Sequence, residues 1–103
     1  MKRSIYHSDR APKAIGPYSQ AVGAGGAVYL SGQVALDPAT GQLVTGGFEA
    51  EARRVFENLK AVAEAAGSNL AAAVRVTVYL TDLGQFPVAN KVMAEYFNEP
   101  YPA

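Results

Sequence analysis

The stretch "VRVTVYLT", Val74 to Thr81, decides how the rest of the chain is read. Val74, Val76, Val78 and Leu80 alternate with Arg75, Thr77, Tyr79 and Thr81. A period of two puts aliphatic side chains on one face of a strand and a mixed set on the other. Working back, Phe48, Ala52, Val55, Phe56, Leu59, Val62, Ala63 and Ala66 recur at helical spacing, and Gly67 closes the run. Before that helix, Ala27 to Val34 alternates in the same way: Val28, Leu30 and Val34 share a face, Tyr29, Ser31 and Gln33 take the other, and Gly32 leaves a gap on the aliphatic side. A strand, a helix and a strand in this order predict a right-handed crossover between parallel neighbours.

The glycines of "GAGG" (Gly23, Gly25, Gly26) predict a hairpin joining Tyr18–Val22 to Ala27–Val34, with a short extended piece at Ser4–His7 ahead of them. Pro12 and Pro17 hold the intervening loop, and "DPATGQ" (Asp37 to Gln42) reads as a turn. Downstream, Phe86, Ala89, Val92, Met93, Tyr96 and Phe97 predict a second helix over Gln85–Phe97 with Pro87 in its first turn. The expectation is an α+β domain, a mixed sheet with two helices packed on one face, and one domain over residues 1–103. The opposite face, with Tyr29, Ser31, Gln33, Arg75, Thr77 and Tyr79, is too aromatic to be left to water alone. Identical subunits are expected to cover it, making the interface a natural place for a pocket.

Composition narrows the function. Lys plus Arg and Asp plus Glu are both 9 in 103 residues, so the net charge is zero and no electrostatic footprint points to nucleic acid. Cysteine is absent, which removes thiolate nucleophiles and most zinc sites and fits a reducing compartment. The N-terminal "MKRSIYHSDRAPK" lacks an apolar signal core and no apolar run reaches membrane-spanning length, so a cytoplasmic chain with no membrane partner is expected. His7 is the only histidine, which excludes a two-histidine site within one chain and more often marks a surface residue. "GAGG" lacks the Gly-Lys-Ser/Thr ending of a phosphate loop and joins strand to strand.

Other residues carry two readings. Arg75 is either a bidentate holder of a carboxylate or an interface ion pair. Asn90 either hydrogen-bonds in a pocket or faces solvent, and Tyr18, after the Gly16–Pro17 turn, is either held at a site or packed as an ordinary strand residue. The glycine of "YLSGQV" marks a close approach of ligand or backbone. Glu49, Glu51, Glu57 and Glu64 interleave with Arg53, Arg54 and Lys60 as solvated ion pairs on the first helix.

Taken together, "APKAIGPYSQAV", "VYLSGQVALDPATGQLV", "NLKAVAEAAGSNL", "VRVTVYLTDLGQFPVANKVMAEYF" and the final "PYPA" resemble the RidA family of reactive intermediate deaminases, also described as endoribonuclease L-PSP or translation-inhibitor proteins. The resemblance implies a chorismate-mutase-like α+β fold and a homotrimer whose sheets form a central barrel, with ligand clefts between subunits. It further implies hydrolysis of enamines and imines such as 2-aminoacrylate, 2-iminopropanoate and 2-iminobutanoate to 2-oxo acids and ammonia, without metal or organic cofactor. Tyr18 matches the family's pocket tyrosine, Ser31 and Gly32 its strand turn beside the ligand, Asn90 its helix asparagine, and Phe86 an aromatic near the pocket.

In the family, "PA" at this point is followed by an arginine that clamps the substrate carboxylate, and then by two strands, the last carrying a glutamate that activates water. The sequence reaches only Ala103. The expectation is that the sequence is incomplete, that the protein is truncated, or that another chain supplies these parts. No catalytic residue is therefore assigned, and a non-catalytic 2-oxo acid binding module stands as the alternative. The ribonuclease reading ranks third, because a neutral chain has no basic aromatic face for RNA.

Overall fold

The computed structural model describes residues 2–103. Three short strands form one antiparallel sheet in the order β1 (Ser4–Tyr6), β2 (Ala21–Ala24), β3 (Ala27–Leu30). Gly25 and Gly26 both take positive φ, 60° and 83°, so the β2–β3 connection is a two-residue turn whose twist suits the hairpin. The register pairs Val22 with Tyr29 and Ile5 with Val22. β2 is therefore the central strand.

Helix α1 spans Phe48–Ala65 with Glu49 and Glu51 in its first turn, where carboxylates favour the positive helix end. It ends as the sequence predicts. Gly67 takes φ 78°, its N–H bonds the Glu64 carbonyl at 3.0 Å, and Ser68 N–H bonds the Ala63 carbonyl at 3.1 Å. After a 3-10 turn at Leu83–Gln85, capped by Asp82 through Gly84 N–H at 2.8 Å, α2 runs over Phe86–Met93. The predicted Gln85–Phe97 helix is thus shorter, because Glu95 and Tyr96 bond three residues back and tighten its last turn.

Two apolar clusters share α1. Ala61 and Val62 pack with Ala11, Ala21, Tyr6 and Leu30 beneath the sheet. Phe56 packs with Val92 and Phe97 of the α2 region, and with Ala73 and Val76. The Phe56 ring stacks on Tyr96 at 5.4 Å between centroids and meets Phe97 edge-on at 5.8 Å.

The α+β class holds, and the sheet differs from its expected form. It is antiparallel rather than mixed, and among the described residues no parallel crossover forms: residues 74–81 belong to no strand and are not part of the sheet. Among the described residues their backbone bonds go to Ala103 alone, Val76 N–H to its carbonyl at 2.7 Å and Ala103 N–H to the Val74 carbonyl at 2.9 Å. Alternation fixes which side chains face inward, and Val76 does reach the Phe56 cluster, but a strand also needs a neighbouring backbone. The predicted strand over 27–34 likewise stops at Leu30, and the one over 18–22 begins only at Ala21, because Gln20 turns inward to serve the leading loop. Among the described residues, no helix is long and apolar enough to cross a membrane.

Candidate functional site

The loop from Ser8 to Ser19 is fixed by one side chain. Gln20, 3% exposed, accepts from Ser8 N–H at 2.6 Å and donates to the carbonyls of Ser8 at 3.1 Å and Pro12 at 2.8 Å. With its amide satisfied on both ends, Gln20 pins the loop to the start of β2. Tyr18 follows a tight turn closed by its own N–H to the Gly16 carbonyl at 2.8 Å, and its hydroxyl accepts from Ile15 N–H at 3.4 Å. Tyr18 as a whole is 49% exposed.

Ser31 lies directly beside this loop. Its N–H bonds the Gln20 carbonyl at 2.9 Å and its hydroxyl donates to the Ser19 carbonyl at 2.6 Å. Gly32, the next residue, is exposed, and a Cβ there would meet nothing within 4 Å. Gly32 lies two residues beyond the end of β3, and the open space there leaves room for an approaching group. Tyr18, Ser31 and Gly32 therefore stand together as one group. The chain beyond them is held by Asn58 on α1, fully buried, which donates to the carbonyls of Leu36 at 3.0 Å and Val34 at 3.4 Å.

Phe86 and Asn90 form a second group. Four residues apart on α2, they share the helix's exposed side while Ala89 and Val92 take the buried one. Phe86 is 53% exposed. No hydrogen bond joins the two groups among the described residues, and neither lines the cavity at Asp9, Asp37 and Arg54 or the one at Lys60, Asn69 and Tyr96. The five predicted residues are thus exposed or half-buried on the surface of one subunit, in two patches.

Sequence reasoning missed Gln20 and Asn58, the residues that position the first group. Asn58 was findable: it lies three residues after Val55 and four before Val62, on the edge of the apolar stripe. Gln20 had a weaker signal, a long amide placed immediately before the apolar Ala21–Val22 pair.

The titration shifts lie elsewhere, on the seam between α1 and α2. Arg53 pairs with Glu95 and, at 3.0 Å, with Glu49, which Lys91 also approaches at 3.4 Å. Hydrogen bonds from Arg53 hold both carboxyls below their usual range, with Lys91 adding to the effect at Glu49. Burial, and then the Glu57 carboxylate 2.7 Å away, push the Tyr96 hydroxyl up to about 12. These contacts clamp α2 onto α1. His7 pairs with Asp9 at 2.9 Å on the surface, and Arg75 is exposed and forms no ion pair among the described residues.

The fold is that of a small α+β domain that presents uncharged polar and aromatic groups at its surface. The family is settled by comparison. Residues 8–103 match the family model described as Endoribonuclease L-PSP, and the chain belongs to this family, the RidA family of the sequence resemblance. It is 44% identical over 101 residues to 2-iminobutanoate/2-iminopropanoate deaminase of Dermatophagoides farinae, covering 98% of this chain and 79% of that one. The crystal structure of RidA from the Antarctic bacterium Psychrobacter superposes with a TM-score of 0.92 at 50% identity, over 97% of this chain and 80% of that one. That of E. coli TdcF with bound serine does so with a TM-score of 0.85 at 39% identity, over 90% and 72%.

Proposed function

We propose that the protein hydrolyses reactive 2-imino acids and their enamine tautomers, 2-aminoacrylate, 2-iminopropanoate and 2-iminobutanoate, to 2-oxo acids and ammonia. The observation that carries the reading is the 44% identity to a 2-iminobutanoate/2-iminopropanoate deaminase across nearly the whole chain. Water adds to the imine carbon, its proton passing to nitrogen, and the carbinolamine then expels ammonia as the C–N bond breaks and the carbonyl forms. Such a reaction depends on orientation of water against a held substrate. Tyr18 and Asn90 supply polar contacts, Ser31 and Gly32 a backbone edge without side-chain obstruction, and Phe86 an apolar wall.

The two patches become one cleft when identical subunits pack over the face that carries Tyr29, Thr77 and Tyr79. Tyr79 is 92% exposed and Tyr29 66% in the single subunit, large aromatic surfaces that association would remove from water. A homotrimer, acting in the cytoplasm on a small 2-imino or 2-oxo acid without cofactor and without nucleic acid, is the assembly proposed.

A second reading, a 2-oxo acid binding module without catalysis, is favoured by one observation: none of Tyr18, Ser31, Gly32, Phe86 and Asn90 carries a charge. Ammonia release from 2-iminopropanoate generated in solution separates the two. Acceleration that falls at least tenfold in Asn90→Ala supports the deaminase. Calorimetric binding of 2-oxobutanoate with no acceleration supports the binding module, and absence of both removes this site.

A further inference from the structure

A cavity of about 390 Å³ lies on the helical side of the subunit, between the leading loop, the Asp37–Gln42 turn and α1. Its walls carry Arg10 and Arg54, the carboxylates of Asp9, Asp37 and Glu57, and the apolar Ala61. None of the deaminase candidates lines it. The volume falls in the roughly 300–1,000 Å³ range of small-molecule pockets.

The charges around this cavity are unequally satisfied. Glu57 accepts the Tyr96 hydroxyl at 2.7 Å, Asp37 accepts Ala39 N–H at 2.7 Å, Arg10 donates to Glu64 at 2.9 Å, and one oxygen of Asp9 lies 2.9 Å from His7 Nε2, which leaves its other oxygen open. Arg54 forms no ion pair among the described residues. Its Nε donates to Asn58 Oδ1 at 3.0 Å, and Asn58 is itself fully buried and bound to two carbonyls. The guanidinium is therefore oriented by a rigid partner while its terminal N–H groups stay free of carboxylates. A planar fork held in this way suits bidentate capture of a carboxylate.

A simple anion would also meet three wall carboxylates, and a simple amine would meet Arg54. A ligand that carries both charges answers both. We infer that this cavity binds a small zwitterionic α-amino acid, its carboxylate on Arg54 and its ammonium toward Asp9 and Asp37, at a site separate from the deaminase surface.

The test is an amide chemical-shift titration of the assembled protein with L-alanine, with acetate and methylammonium as single-charge controls. Saturating L-alanine is expected to shift residues 9–10, 37–39 and 54–58, to do so equally with 2-oxobutanoate present, and to bind at least tenfold tighter than either control. Arg54→Gln is expected to weaken binding tenfold or more, and Asp9→Asn, at a side chain almost wholly in solvent, about threefold. Should Arg54→Gln lose its folded spectrum, Asp9→Asn decides the matter. Shifts confined to Tyr18, Ser31 and Asn90, acetate binding as tightly as L-alanine, or unchanged affinity in both variants would overturn the assignment, and none of these outcomes bears on the deaminase reading.

Discussion

Residues 21–30 and residues 74–81 live in different surroundings: the first form strands β2 and β3 about a turn, and the second belong to no strand. The first is folded on itself by Gly25 and Gly26, paired on its other edge with Ser4–Tyr6, and closed over Ala61 and Val62. The second rests one side chain, Val76, on the α1–α2 cluster and leaves Val74 and Tyr79 in solvent, with only Ala103 as a backbone partner among the described residues. Period-two alternation specifies faces, and hydrogen-bonded neighbours specify a strand. The first region contains its neighbours within thirty residues of chain; the second, among the described residues, has only Ala103.

The sharpest way to break this contrast is to remove the anchor of the first region. Gln20→Leu strands the amide of Ser8 and the carbonyls of Ser8 and Pro12, and is expected to cost about 3 kcal/mol in denaturant unfolding. Arg75→Ala, in the second region, is expected to stay within about 0.5 kcal/mol. Equal losses at both positions would erase the distinction.

Packing gives the next largest effect. Val92, without solvent exposure, is expected to lose about 2 kcal/mol on replacement by alanine, read as a shift in denaturant midpoint at constant slope. Val74→Ala is expected to change it by less than about 0.5 kcal/mol in dilute, dissociated protein. A larger cost at Val74 in concentrated than in dilute solution sharpens the comparison, because it locates the missing neighbour in a second copy.

Glycine substitutions separate fold from site. Gly26→Ala forces a side chain into positive φ and is expected to cost about 1 kcal/mol. Gly32→Ala, with open space around its Cβ, should leave the unfolding midpoint unchanged while weakening 2-oxobutanoate binding in calorimetry. Loss of stability with unchanged binding would reverse those roles.

The smallest effect concerns pH. The raised folded value of Tyr96 means that its contribution is intact below the unfolded phenol value near ~10 and is lost as pH rises through about 12. Stability should therefore decline across that window, and Tyr96→Phe should decline less. The lowered carboxyls of Glu49 and Glu95 act in the opposite sense: their contribution is present above the unfolded carboxyl value and disappears as pH falls through the folded one.

Much of the fold was legible in the residues. The α1 stripe with its Gly67 stop, the Gly25–Gly26 hairpin and the Asp37 turn follow from local chemistry, and local chemistry is sufficient where the partners are near in sequence. The parallel crossover expected from the residues does not form among the described ones, because nothing in "VRVTVYLT" says which backbone it pairs with. The candidate site was readable only through resemblance to a family: Tyr18, Ser31, Gly32, Phe86 and Asn90 are ordinary residues, and their patches are separate on one subunit. What the residues did contain, unread, was the support. A buried Gln20 and a buried Asn58 hold the loop and the segment that present Tyr18 and Ser31.

The measurement that tests the central claim most directly is amide hydrogen exchange at residues 75–80 against residues 22–30, followed as the protein is diluted. The account predicts that 22–30 stay protected throughout, while 75–80 are protected in concentrated protein, lose protection on dilution, and lose deaminase activity over the same range. Fast exchange at 75–80 at every concentration, in protein that still releases ammonia from 2-iminopropanoate, would contradict it.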